Sequence, residues 1–89
     1  MDIDQSKINE TINSLIDELN VSYSFNDIEY VPALLAFESC KNRSIDEIDE
    51  LGKKAWNYRK LSINNLSKWH TFFLYYMNAF TLLIHELNA

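Results

Sequence analysis

His70 and His85 are the only imidazoles in the chain, and Cys40 is its only thiol. These residue types bind metals and serve as nucleophiles or general bases. Their spacing works against both uses. If the histidines share one helix, 15 residues separate them, which is about 22 Å along the axis. They cannot hold one ion together. His70 falls at the edge of an apolar arc and reads as a half-buried packing histidine. Cys40 falls near a predicted helix end and reads as a small buried hydrophobe. A single cysteine excludes an internal disulfide.

Asp46, Glu47, Asp49 and Glu50 form an acidic run that could attract a cation. The run has neither the glycine nor the loop spacing of a calcium site. A solvated first turn of a helix accounts for it better. The chain contains no His-Glu-x-x-His, Cys-x-x-Cys, Gly-x-Ser-x-Gly or Walker motif. One glycine is too few for a phosphate-cradling loop. The expectation is a protein that is not an enzyme, with no cofactor and no metal site.

The basic residues Lys53, Lys54, Arg59, Lys60 and Lys68 lie near Trp56, Tyr58 and Trp69. Bases interleaved with aromatics suit phosphates and stacked nucleobases. Two facts weigh against that use. The sequence pI is about 4.8, whereas nucleic-acid binders are strongly basic. The same aromatics also recur at the spacing of a helix core. A nucleic-acid-binding or regulatory module is therefore an alternative reading and not the leading one.

The elements that must position these groups are helices. Residues 63–88 read as one long helix. At 100° per residue, Leu66, Trp69, Phe72, Phe73, Tyr76, Met77, Ala79, Phe80, Leu83, Ile84 and Leu87 share an arc of about 160°. A helix with one neighbour needs about 100°. The surplus, with Leu74, Tyr75 and Leu82 beyond it, implies several neighbours or a partner chain. Phe73, Met77, Phe80 and Ile84 are expected at the centre of the core. The uncharged run from Trp69 to Ile84 is 16 residues long, short of the roughly 20 a membrane span requires. A membrane span is not expected, and membrane-surface attachment through this aromatic helix is a further alternative.

Three shorter helices precede it. Residues 4–19 are amphipathic, with Asp4 as N-cap, Ile8, Ile12, Leu15, Ile16 and Leu19 inward, and Asn20 as a left-handed stop. Val21, Tyr23 and Phe25 alternate with serines, and are expected to tuck inward along an extended connector. Residues 29–41 follow, with Asn26 and Glu29 at capping-box spacing and Phe25 with Tyr30 as a hydrophobic staple. Ser44 and Glu47 give the clearest start signal, for a helix over 45–61. Its inward residues are Ile45, Ile48, Leu51, Ala55, Trp56 and Tyr58. Gly52 on the same face costs about 1 kcal/mol of helix propensity, which points to a close crossing there. Residues 62–65 break the chain before the last helix.

The fold these elements predict is all-α, a compact four-helix, bundle-like single domain over 1–89 with short connections, up-down-up-down. In size and helix order alone it is similar to small bacteriocin immunity proteins and small phage-encoded inhibitors. No motif of the chain matches either group.

Charge is unevenly spread. Residues 1–50 carry 12 acids and 3 bases, and residues 51–89 carry 1 acid and 5 bases. The simplest reading is that the two halves attract each other across the fold. Two charges fall inside apolar arcs, Glu38 on helix two and Arg59 on helix three. Helices two and three should be antiparallel neighbours, yet Arg59 lies about four turns into its helix. That offset disfavours a direct pair and leaves Lys41, His70 and solvent as partners for Glu38.

The functional expectation is a non-enzymatic protein that binds another protein, in an inhibitor, immunity or antitoxin-like role. The candidate partner-binding residues are Glu38, Arg59, Leu74, Tyr75, Leu82, Asp46, Glu47, Asp49 and Glu50. A homodimer through the last helix is a further expectation. The lone cysteine and an N-terminus without a basic, apolar leader point to the cytoplasm.

Overall fold

The computed structural model describes residues 3–62 and 68–89. Four helices follow one another: α1 Gln5–Ser22, α2 Tyr30–Cys40, α3 Ile45–Ser62 and α4 Lys68–Leu87. The fold is all-α, a four-helix, bundle-like domain. Of the predicted last helix and the break before it, residues 63–67, Leu66 among them, lie outside the described residues.

α4 packs against all three other helices. That is what its wide apolar arc was for. α1 also packs on α2, whereas among the described residues α3 has its extended packing with α4 alone. The directions follow from paired contacts. Asn9 bonds Asn42 at one end of α1 and α2, and the Tyr30 hydroxyl donates to Asn20 at the other, so these two helices are antiparallel. α3 and α4 are antiparallel too, because Gly52 meets Phe80 and Tyr58 stacks on Phe73. The expectation that α2 and α3 are close neighbours is not met. The turn at 41–44 joins them, but each turns its apolar side to α4.

The buried core is Ile8, Ile12, Leu15 and Leu19 of α1, Ala36, Phe37 and Cys40 of α2, Ile48 and Ala55 of α3, and Ala79, Phe80, Leu83 and Leu87 of α4. Phe80 is central as expected. Phe73, Met77 and Ile84 are only partly buried. α1 and α2 both press on the 79/83 side of α4, and this rotates the core centre away from the α3-facing side. Trp56 and Tyr58 are exposed, not inward. With one extended neighbour, α3 needs only a narrow stripe.

Helix ends follow local chemistry. Asp4 is the N-cap of α1, but its carboxylate makes no capping bond and accepts instead from the Ser6 hydroxyl at 3.2 Å. Asn20 does not stop the helix; α1 continues to Ser22. The left-handed residue is Asn42, at φ 61° in the turn between α2 and α3. Asn26 and Glu29 form no capping box, and α2 begins without a side-chain cap. The Asp27 carboxylate instead accepts from the Ser24 amide at 2.7 Å. Pro32 sits in the first turn of α2, where its missing N–H costs nothing. The Ser44–Glu47 box does form: the Glu47 amide donates to Ser44 Oγ at 3.3 Å, and the Ser44 amide donates to Glu47 Oε1 at 3.1 Å.

Candidate functional site, an apolar groove along α2

α2 and α3 leave the same turn and pack on α4 without packing along one another. The groove runs along α2 over a floor of α4 rings, with α3 as its second wall at one of its two hollows. The turn end is fixed by α1. Asn9 Oδ1 accepts from the Asn42 amide at 3.2 Å, and Gln5 Nε2 donates to the Arg43 carbonyl at 3.0 Å. Arg43 Nε also donates back to the Ser39 carbonyl at 2.7 Å.

Two hollows make up the groove. One, of about 400 Å³, lies between α2 and the middle of α3 and is lined by Leu35, Ser39, Leu51, Lys54, Ala55, Tyr58, Phe72, Phe73 and Tyr76. The other, of about 530 Å³, is lined by Asp27, Ile28, Val31, Pro32, Trp69 and Phe72. Phe72 belongs to both, so the apolar surface is continuous. Its floor is an aromatic ladder. Phe72 stacks on Tyr76 with centroids 5.7 Å apart, Phe73 stands edge-on to Phe72 at 5.4 Å, and Tyr76 stands edge-on to Phe80 at 5.1 Å. Rings locked in this way present area that loses little entropy on binding. Ile28, Leu35, Tyr58 and Trp69 are 62%, 48%, 55% and 57% exposed, too much apolar surface on one face to be incidental scatter.

The end of the bundle at Ile28 and Trp69 carries more such surface. Val21, Phe25 and Leu61 there are all largely exposed. The expectation that Val21, Tyr23 and Phe25 turn inward is wrong. α1 carries Val21 outward as part of its last turn, and Phe25 contacts Tyr30 edge-on at 6.3 Å without being covered. A five-residue alternation fixes the period of a segment but not which side faces in.

Among the described residues, Glu38 pairs with Lys41 at 3.1 Å, Arg43 with Glu47 at 3.7 Å and Asp49 with Lys53 at 3.1 Å, each pair within one short segment. α1, with Glu10, Asp17 and Glu18 exposed, and α3, with Lys54 and Lys60 exposed, share no extended packing among the described residues. Lys54, on the groove wall, makes no ion pair with any described residue.

The residues nominated from sequence are dispersed. Glu38 is exposed and paired with Lys41, not Arg59. Arg59 is half-buried and lies over the Trp56 ring at 5.5 Å. Asp46, Glu47, Asp49 and Glu50 occupy the first turns of α3, where Glu47 serves the cap. The Ser44 amide and hydroxyl, with a smaller contribution from Arg43, hold the Glu47 carboxyl below its ordinary range. Tyr75 and Leu82 line a different hollow, beside Leu19, Tyr23, Ala33 and Phe37 of α1 and α2. Leu74 is half-buried. Ile28, Val31, Trp69 and Phe72 were not nominated. The signal existed, since Ile28, Val31 and Leu35 repeat at three and four residues, but a core stripe has the same spacing.

Among the described residues no group of three or more His, Cys, Asp or Glu is placed to hold a metal. His70 is half-buried, with its Nδ1 enclosed. No helix of the described residues is long and apolar enough to cross a membrane. On the far side of α3 a second hollow, lined by Ile48, Gly52, Trp56, Met77, Phe80 and Ile84, is flanked by the Asp49–Lys53 pair and interrupted by the close α3–α4 crossing. Compared with known protein families, curated proteins and solved structures, the chain matches none of them.

Proposed function

We propose that the protein acts by binding another protein, without chemistry of its own, and that the apolar groove along α2 over α4 is the binding surface. The observation that carries this reading is the continuous apolar lining from Ile28 through Phe72 to Leu35, left uncovered by the chain's own described residues. Leaving that much apolar area in water is unfavourable by about 25 cal/mol for each Å². A partner that covers it recovers that free energy. The lining also speaks for protein over nucleic acid. Trp56, Tyr58 and Trp69 are exposed, so core spacing no longer argues against base stacking. Ile28, Val31 and Leu35, however, are aliphatic walls that no base stacks on, and the chain's formal charge of −5 repels phosphates.

Leu35→Asp places a charge on the α2 wall of the groove at a half-exposed position. Cross-linking in the native host with the parent and with this variant tests the reading. A partner held by the parent and lost by the variant supports it. Retention of every parent partner by the folded variant removes the groove as the binding surface.

A further inference from the structure

We infer that α3 is a flap. It opens as a unit from a closed three-helix body of α1, α2 and α4, and in opening it uncovers an apolar strip of α4 that the closed fold keeps covered.

The body closes without α3. α1, α2 and α4 pack on one another in all three pairings, whereas α3 has extended packing with α4 alone among the described residues. α1 sends Ile8, Ile12, Leu15 and Leu19 into the shared core, and α2 adds Ala36, Phe37 and Cys40. Of the described residues of α3 only Ile48 and Ala55 are buried, and Ala55 contributes one methyl. Where α3 crosses closest to Phe80 it presents Gly52. The two backbones approach there without burying a side chain of α3, and it is buried apolar area that stabilises. The stack of Tyr58 on Phe73 adds little, because that tyrosine is more than half exposed.

The seam between α3 and α4 is also open on both flanks. A hollow of about 300 Å³ lies on one side, with Ile48 and Gly52 facing Met77, Phe80 and Ile84. The hollow of about 400 Å³ lies on the other, with Leu51 and Tyr58 facing Phe73 and Tyr76. Side chains along a seam flanked by open space lack partner atoms on one side and lose that dispersion energy.

The polar contacts leave with the flap. The Ser44–Glu47 box and the Asp49–Lys53 pair lie within α3 and its cap residue, so opening breaks neither. The hinge is the turn at 41–44. Its near side is held on α1 by the Asn42 amide on Asn9 and the Arg43 carbonyl on Gln5, so α3 swings while α2 stays. The strip uncovered is Phe73, Tyr76, Met77, Phe80 and Ile84. Opening of one element costs less free energy than global unfolding when few buried contacts hold it. A detached helix of 18 residues is marginal in water, so its amides exchange while those of the body stay protected.

Native-state hydrogen exchange on the full chain, under conditions where exchange reports the opening equilibrium, tests this. The amides of residues 49–58 are expected to exchange as one group, at least about tenfold faster than the slowest amides of α1 and α4. Two matched variants identify the opening. Ile12 and Ile48 are both 0% exposed, and Ile→Val at either is mild, changing an opening equilibrium roughly two- to tenfold. Ile48→Val weakens the closed state against both openings, so α3 and the body should speed up together. Ile12→Val weakens a contact that survives the swing of α3, so the body should speed up while residues 49–58 keep their parent rates. Amides of α3 as slow as the slowest of α1 and α4, a graded series of rates along residues 49–58 in place of one, or acceleration of α3 in step with the body in Ile12→Val would each overturn the flap.

Discussion

Gly52 meets Phe80 where α3 crosses α4: a β-carbon built on Gly52 would lie 3.4 Å from Phe80 Cβ. That is the near limit of ordinary contact, so a methyl fits there and little more does. Glycine in mid-helix costs about 1 kcal/mol relative to alanine. Gly52→Ala should therefore stabilise the protein by something under about 1 kcal/mol. Gly52→Val, which pushes two further methyls at the ring, should cost about 1–3 kcal/mol. Urea unfolding of the two variants separates the terms. Equal losses from both would mean that the crossing already excludes a methyl.

The core centre makes a second prediction. Phe80 is 2% exposed, and Tyr58 is 55% exposed, although both are aromatic residues near the same α3–α4 contact. Phe80→Ala should cost about 3–5 kcal/mol. Tyr58→Ala should cost about 1 kcal/mol, chiefly its stacking on Phe73. If truncating Tyr58 unfolds the chain as readily as truncating Phe80, α3 is packed more deeply than its stripe of Ile48 and Ala55 implies.

Local signals were legible in the sequence, and those that depend on neighbours were not. The Ser44–Glu47 start is written within four residues and forms as read. The four helices are visible in their periodicity. The arc of α4 is visibly too wide for one neighbour, but no pattern in α4 says that α1 and α2 take one side while α3 takes the other. The same ambiguity placed Phe73, Met77, Trp56 and Tyr58 too deep. Ile28, Val31 and Leu35 recur at three and four residues, and a groove wall and a core stripe share that period. What distinguishes them is the missing neighbour, and the sequence does not state that α2 and α3 leave a gap.

The Ser44 cap carries a pH signature. The Ser44 amide and hydroxyl, which donate to Glu47, hold its carboxyl below the ordinary value of 4.5. The contribution is fully present above that value, and it drains as pH falls through the lowered folded value. Stability measured from neutrality downward should fall less steeply below 4.5 in Glu47→Gln than in the parent. Ser44→Ala, which removes the hydroxyl, should cost about 1 kcal/mol at neutral pH. Identical acid profiles for the parent and Glu47→Gln would show that the reciprocal bond contributes nothing in solution.

Cys40 should behave as a core atom and not as a nucleophile. Its residue is wholly buried, and desolvation pushes its thiol up from 9.0 to about 11, with Ser39 and Arg43 opposing weakly. The thiolate is the reactive species, so at neutral pH the folded protein presents neither the ion nor access to it. A disulfide reagent should therefore label Cys40 only through unfolding, and where refolding outpaces labelling, denaturant should raise the labelling rate in step with the unfolded fraction. The linkage has a definite sign. Folding favours the neutral thiol, so this stability term is constant below 9.0 and is lost as pH rises from there towards about 11. Cys40→Ser exchanges a weakly polar sulfur for a hydroxyl at the same buried site and should cost about 1–3 kcal/mol. Cys40→Ala should cost less, because it removes one atom and buries no polar group. Rapid labelling in native buffer, or Cys40→Ser as stable as Cys40→Ala, would place the thiol in contact with water and remove it from the core.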